Sequence, residues 1–166
     1  MMSTLPSAQI LSIAQQGESV LTQLAQVVSA PLDPEVQMLI QNMHATLLAA
    51  NGVGIAAPQV FKSLRIIIVA SRPNPRYPAA PLMEAIAMIN PEIIWQSTET
   101  CLGEEGCLSV PDTRAPVARA ERLIVRYSNQ QGETVEAEYS GFVARIIQHE
   151  VDHLNGVLFV DRAEDV

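Results

Sequence analysis

The most constraining feature of the sequence is a pair of histidines near its C-terminal end, in the stretch RIIQHEVDHLNG. His149 and His153 are four residues apart, and on a helix this spacing places two side chains one above the other on the same face. Phe142 and Ile146 precede them at steps of four and three, so one face carries all four side chains. We therefore predict a helix that ends at residues 155–156, an Asn-Gly pair.

The histidine pair can hold a metal ion, because imidazoles at positions i and i+4 of a helix converge on one point. Glu150 follows His149 and lies about 100° further around the helix axis. A carboxylate there reaches a water beside the metal without binding the metal itself. The HExxH pattern alone is a moderate signal, and two solvated histidines on an amphipathic helix are the alternative.

A catalytic metal of this kind usually needs a third protein ligand. The metzincin pattern HExxHxxGxxH does not continue here, because Phe159 occupies the position of its last histidine. Glu164 is too near the pair, so the third ligand should lie upstream. Cys107, in the stretch GEEGCLSVP, is the best candidate and should end an extended strand at a turn. A small buried hydrophobe is the commoner fate of a cysteine, and that alternative stays open.

The rest of the chain predicts an α+β fold. Asp33 and Pro34 begin a helix over residues 34–50, and Gly52 can close it. The Pro-rich stretch SRPNPRYPAAP at 71–81 should be an exposed, variable loop. Short apolar runs predict strands at 64–70, 87–89, 93–97, 123–128 and 133–139, the last two forming a hairpin around NQQG.

Composition excludes some classes of function. A net charge of −8 with only ten Lys and Arg residues is not typical of a nucleic-acid-binding protein. The apolar runs are too short to span a bilayer, and the N-terminus lacks the basic start of a signal peptide. We expect one soluble, cytoplasmic domain over residues 1–166, with Cys101 and Cys107 as free thiols.

Three separated segments resemble the signature motifs of the peptide deformylase family, in the family's order and with similar spacing. They are GVGIAAPQ at 52–59, EGCLS at 105–109 and QHEVDH at 148–153. The resemblance spans roughly residues 10–160. It implies small antiparallel or mixed sheets packed around a central helix that carries HExxH, together with an N-terminal helix. It also implies removal of the formyl group from N-terminal formyl-methionine of nascent polypeptides, with release of formate.

The resemblance assigns roles to individual residues. The implied metal ligands are Cys107, His149 and His153. Glu150 matches the catalytic acid and base, while the side chain of Gln59 and the backbone N–H of Leu108 match the donors to the developing oxyanion. Ferrous iron is the metal that the resemblance implies, and Zn²⁺ or Ni²⁺ are alternatives for a purified sample.

The substrate residues follow from the same resemblance. Gly52 and Gly54 would let an extended peptide pair with the backbone, although both glycines could simply turn the chain after the helix. The implied pocket for the methionine side chain consists of Val53, Phe142 and Ile146, with Glu105 at its edge. Ile55, Gly106 and Arg114 complete the implied substrate site. Asp152 could pair with Arg119 or Arg114 and so support the ligands.

Two other functions stay open on the sequence. One is a metallohydrolase of other small N-acyl amides, and the other is a metal-binding or peptide-binding module without catalysis. The chain also stops without the further C-terminal helix that many relatives carry, so the resemblance leaves ribosome association open.

Overall fold

The structure, a computed structural model, describes residues 7–164. Within that part the two α-helices are α1 (Pro34–Ala49) and α2 (Gly141–Leu154). The strands are β1 (Gly54–Ala56), β2 (Ile66–Val69), β3 (Ile86–Gln96), β4 (Thr100–Cys107), β5 (Val110–Ala120), β6 (Arg122–Ser128) and β7 (Thr134–Ser140). Short 3₁₀ helices cover Ser19–Thr22, Ala57–Val60 and Phe159–Asp161. This arrangement confirms the α+β prediction.

Five strands form one antiparallel sheet in the order β1-β2-β3-β6-β7, and β4 and β5 form a separate two-stranded sheet. The predicted hairpin is confirmed, with Ser128 opposite Thr134 across the turn. The stretches predicted as two strands at 87–89 and 93–97 are strand up to residue 96, but they belong to one strand, β3, so their division is wrong. Asn90 has a φ of 53° and the pairing with β6 shifts between Ile89 and Glu92. This bulge accommodates Pro91, which cannot donate a ladder hydrogen bond.

The side chains of the five-stranded sheet alternate between two apolar layers. Ile66 and Ile68 of β2 face the layer that contains α1, and Ile67 and Val69 face the layer that contains α2. Helix α2 therefore lies inside the molecule, with the large sheet on one side and the β4–β5 sheet on the other. The Gln148 side chain accepts from Ala120 N at 3.0 Å and donates to Ala120 O at 2.9 Å, which fastens the β4–β5 sheet to α2.

The ends of both helices follow from local sequence. The Asp33 side chain accepts a hydrogen bond from Glu35 N at 2.8 Å, as expected for an N-cap. Helix α1 then ends with Asn51 at a φ of 55°, while Gly52 N donates to Leu47 O at 3.2 Å. Gly52 thus takes part in closing the helix, but Asn51 supplies the left-handed residue. At the end of α2 the prediction is confirmed, since Gly156 has a φ of 76°.

Two strands, and the three short 3₁₀ helices, were not predicted. β1 has only three residues, too few to show a period. β5 contains two prolines and a run of exposed polar residues, so its sequence lacks the apolar alternation typical of a strand. Among the described helices, we find none with the length and apolar character needed to cross a membrane.

Candidate active site

The two histidines of α2 and the cysteine at the end of β4 meet in the interior. His149, His153 and Cys107 are all buried, and His153 is fully inaccessible to solvent. Cys107 Sγ lies 3.3 Å from His153 Nε2, and one potential ligand atom from each of the three residues falls within 4.8 Å of the others. The structure therefore brings together the three side chains that the sequence proposes as metal ligands.

The donor set fits a divalent metal ion. Two imidazoles and a thiolate are ligands that Zn²⁺ and Fe²⁺ accept in roughly tetrahedral geometry. His149 Nδ1 lies 2.9 Å from Glu105 Oε1, which leaves Nε2 for a cation. The buried Glu150 Oε1 and His153 Nδ1 have no hydrogen-bond partner among residues 7–164. An unpartnered carboxylate oxygen in the interior is costly and indicates a site built around a polar or charged guest.

The electrostatics of the site also favour a cation. Burial by itself would lower the pKa of His149, but the charge of Glu150 and hydrogen bonds with Cys107 and Glu105 raise it well above its ordinary value. The negative groups that favour a positive charge on this ring would also attract a metal ion in place of the proton. Burial lowers the pKa of His153 well below its ordinary value, and nearby charge on His149 lowers it further. The neutral His153 ring is the form that binds metals.

Glu150 is buried beside the histidines, with 4% of its surface exposed. Burial raises the pKa of Glu150 to about 7, His149 partly offsets this rise, and the charge of Glu105 adds to it. A carboxyl group with a pKa near neutrality can both accept and return a proton, which suits a general acid and base.

Glu105 lies at the edge of the cleft, and its carboxylate also contacts one of the proposed metal ligands, His149. The buried carboxylate accepts two hydrogen bonds of 2.9 Å from Arg119, and accepts one of 2.7 Å from Arg145 Nη1. Burial would raise the pKa of Glu105, but the hydrogen bonds from Arg119 and His149 lower it overall. The charged carboxylate therefore orients the His149 ring.

Gln59 stands beside the proposed metal ligands. It belongs to the 3₁₀ helix that follows β1, and its Oε1 accepts from Ala56 N at 2.9 Å. This contact turns the amide nitrogen inward, where Nε2 lies 3.5 Å from Cys107 Sγ and 3.1 Å from Ser109 Oγ. Leu108 follows Cys107 at the bend between β4 and β5. Gln59 and Leu108 thus border the same cleft from separate elements.

An apolar cleft leads to this point along β1. β1 is an edge strand of the five-stranded sheet, so one side of its backbone has no strand partner within residues 7–164. Val53 O accepts from Ala70 N at 2.8 Å, and because antiparallel pairing alternates, the peptide groups of Gly54 point towards the open side. The side chains that line the cleft include Val53, Tyr77, Phe142 and Ile146.

The comparisons with known proteins agree with this geometry. The family model described as polypeptide deformylase matches residues 10–166. The chain belongs to the peptide deformylase family. Peptide deformylase 2 of Nostoc sp. is 53% identical over 156 residues, which cover 94% of this chain and 87% of that protein. Deformylation of nascent peptides is the function of the family, and this deformylase is a hydrolase.

Solved structures of deformylases have the same fold. The class I type b peptide deformylase from Acinetobacter baumannii with bound Met-Ala-Ser is 58% identical in sequence, and its structure matches with a TM-score of 0.91. The match covers 93% of this chain and 99% of the A. baumannii chain. The peptide deformylase from Thermotoga maritima is 38% identical, with a TM-score of 0.85, covering 95% and 99% respectively.

Most residues expected to bind substrate border the cleft of this deformylase, but Ile55 and Arg114 do not line it. Ile55 is fully buried, packs in the layer that contains α1 and pairs with Ile68 of β2, so it does not border the cleft. Arg114 does not pair with Asp152. It contacts Glu104 at 3.3 Å and lies over the Tyr77 ring, along a groove that continues the cleft past Leu108. Arg119 is the partner of Asp152, at 2.7 Å.

Sequence reasoning missed three cleft residues of the deformylase, namely Arg76, Tyr77 and Arg145. Arg76 and Tyr77 belong to the Pro-rich loop that was expected to be exposed. Arg76 Nη2 donates to Asn51 O at 3.0 Å, and Tyr77 Oη accepts from Gly106 N at 3.1 Å. The Tyr77 and Phe142 ring centroids are 4.8 Å apart. In the sequence, only the presence of a tyrosine within the Pro-rich loop could have indicated that this loop reaches the cleft.

We expect Gly54→Ala to lower kcat/KM of this deformylase by roughly 10²-fold, since small misplacements of reacting groups have effects of that size. A Cβ atom at residue 54 would lie 2.7 Å from both Glu150 Oε2 and Ile146 Cγ2. Accommodating it must shift the carboxylate and narrow the cleft. Steady-state kinetics measure the effect, with metal content and thermal unfolding as controls. Unchanged kinetics in a folded, metal-loaded variant would contradict this account of the cleft.

Proposed function

We propose that this deformylase hydrolyses the formyl group from the N-terminal formyl-methionine of nascent polypeptides, using Glu150, Gln59 and the Leu108 amide as catalytic groups. The proposal rests chiefly on one observation, the convergence of Cys107, His149 and His153 next to Glu150 and the open edge of β1. The whole chain, residues 1–166, would act as one catalytic domain in the cytoplasm, where nascent chains emerge.

The substrate would lie along β1. An extended peptide pairs with an open strand edge through backbone hydrogen bonds, which accept many sequences. The methionine side chain would enter the apolar space among Val53, Phe142 and Ile146, and the Tyr77 ring would close that space from the loop side. Selectivity would thus come from the methionine side chain of the substrate, while the backbone contacts along β1 would accept different sequences after it.

The residues of the chain would then carry out hydrolysis. Cys107, His149 and His153 would hold the divalent cation, which when bound activates water and polarises the formyl carbonyl. Glu150 would accept a proton from the attacking water and deliver it to the leaving amine. Gln59 Nε2 and the Leu108 N–H would donate to the oxygen on which negative charge develops, and such a donor contributes roughly 3 to 4 kcal/mol. Glu105 would keep His149 in its binding orientation.

The bound ion would be Fe²⁺, with Zn²⁺ or Ni²⁺ as alternatives in a purified sample. A thiolate and two imidazoles bind all three ions, so the donor set does not separate them. Ferrous iron beside a thiolate is sensitive to oxidation. Elemental analysis after anaerobic purification identifies the ion, and activity that survives prolonged exposure to air would contradict iron.

The function is tested by formate release from formyl-Met-Ala-Ser, with acetyl-Met-Ala-Ser as the matched substrate. The peptide sequence follows the Met-Ala-Ser bound to the deformylase from A. baumannii. We expect turnover of the formyl peptide and a much lower rate with the acetyl peptide, whose extra methyl group must fit beside the buried Glu150. Equal rates would favour a broader N-acyl hydrolase, and no turnover by the metal-loaded protein would refute the proposal.

A further inference from the structure

One charged side chain near the end of the described region connects to the candidate site without touching it. Arg162 follows the 3₁₀ helix Phe159–Asp161, and its side chain is half-exposed. It donates two hydrogen bonds to Asp152, from Nε to Oδ2 at 2.6 Å and from Nη2 to Oδ1 at 3.0 Å. Two parallel bonds of this kind fix the carboxylate more firmly than a single contact.

Asp152 connects Arg162 to the buried side chains of the candidate site. Its Oδ2 also accepts from Arg119 Nη1 at 2.7 Å, and Arg119 uses its other two nitrogens to bind both oxygens of Glu105. Glu105 in turn contacts His149 Nδ1 at 2.9 Å. A continuous series of charged hydrogen bonds therefore runs from the half-exposed Arg162 to the buried His149.

The same segment, residues 157–164, reaches His149 by a second route. Phe159 is buried and stacks on the His149 ring, with centroids 6.0 Å apart and planes inclined by 21°. Arg162 N donates to Phe159 O at 3.0 Å, and Glu164 N donates to Pro116 O at 2.8 Å. His149 is thus held on one side by the Phe159 ring and on another by the carboxylate of Glu105.

The charge balance shows why Arg162 matters to this network. Within residues 7–164, Arg162 is the only hydrogen-bond partner of Asp152 Oδ1, and Arg119 is otherwise shared between Asp152 and Glu105. Without Arg162, the mostly buried Asp152 would rely on Arg119 alone. A buried charge that loses one partner draws more strongly on the partner that remains. Arg119 would then shift towards Asp152, and its hold on Glu105 would weaken.

We infer that Arg162 is a positioning residue, which fixes Asp152, Arg119 and Glu105 so that His149 Nε2 points at the metal ion. This inference rests on the metal centre of the proposed function. Groups that orient a metal-binding histidine typically contribute 10- to 100-fold to metal affinity or activity. Because Arg162 acts through three other side chains, its effect should fall at the lower end of that range.

The test compares Arg162→Gln with Arg126→Gln in the full chain loaded with Co²⁺. Arg126 forms an ion pair with Glu136 at 2.6 Å on β6 and β7, and its exposure matches that of Arg162. We expect Arg162→Gln to release Co²⁺ to a chelator about 10-fold faster than wild type and to shift the visible absorption bands, which report ligand geometry. Its kcat should fall more than its KM rises. Arg126→Gln should match wild type in all three measurements.

The Arg162→Lys variant tests whether the positive charge of Arg162 or its two parallel hydrogen bonds to Asp152 matter. Lysine retains the positive charge but cannot make the two parallel bonds, so its Co²⁺ release rate should lie between those of wild type and Arg162→Gln. This variant also serves if Arg162→Gln does not fold.

Thermal unfolding of the metal-free proteins provides the remaining check. An Arg162 variant that unfolds earlier but keeps the wild-type Co²⁺ spectrum and release rate would overturn the inference, because its role would be structural only. A wild-type chain that binds no divalent ion would refute the metal centre, and the inference with it.

Discussion

Replacing Glu150 by Gln is expected to lower kcat for formyl-Met-Ala-Ser by about 10³-fold while one equivalent of metal stays bound. General acid–base catalysis typically contributes 10²- to 10⁴-fold, and a carboxamide cannot accept and return a proton. Glutamine has nearly the same shape, and Glu150 Oε1 makes no hydrogen bond with the described residues that the change would break. Formate release measures kcat, and elemental analysis measures the metal.

Glu136→Gln is the matched control for this experiment. Glu136 lies on β7, forms an exposed ion pair with Arg126, and does not line the cleft. We expect it to retain wild-type activity. A Glu150→Gln protein that turns over at the wild-type rate would exclude Glu150 as the acid and base. Loss of the metal together with activity would show that Glu150 instead supports binding of the ion.

Cys107→Ala should weaken metal binding by roughly 10²- to 10³-fold and abolish activity at limiting metal. Apparent binding free energies of about 10 to 16 kcal/mol for four-ligand zinc sites correspond to about 2.5 to 4 kcal/mol per ligand. Cys107 is buried and is the one proposed ligand that does not come from α2. Competition with a chromogenic chelator measures the affinity.

Cys101 offers a close control, because it lies on the same strand, β4, six residues earlier and exposed. Cys101→Ala should bind metal and release formate like wild type. If Cys107→Ala kept its affinity, or if Cys101→Ala lost it, the assignment of the thiolate ligand would be wrong.

The parts of the fold that the sequence predicted well are those set by neighbours along the chain. The spacing from Phe142 to His153 predicted α2, and the Asn-Gly pair at 155–156 predicted its end, because helix geometry fixes both within a few residues. The β6–β7 hairpin followed from two apolar runs around a short polar turn. The three side chains that we propose as metal ligands were identified from the HExxH spacing together with three motifs that resemble one family, and the structure brings them together.

The predictions that failed involve contacts between distant segments. β3 looked like two strands because Pro91 interrupts it, and only pairing with β2 and β6 on either side keeps it continuous across the bulge. β5 looked irregular because the small β4–β5 sheet leaves much of it exposed. Tyr77 was assigned to an exposed loop, yet its contacts with Gly106 and Phe142 hold it against the cleft.

The sequence by itself determined which chemical groups this deformylase brings to its site, since residue types and helical spacing are written directly in the chain. Only the tertiary structure decided how those groups are supported. Glu105 reaches His149 across 44 residues, and Arg162 reaches the same ring through Asp152 and Arg119. Such connections depend on how β4, β5 and the segment after α2 pack around one helix. Packing brings distant residues together in ways that local periodicity does not encode.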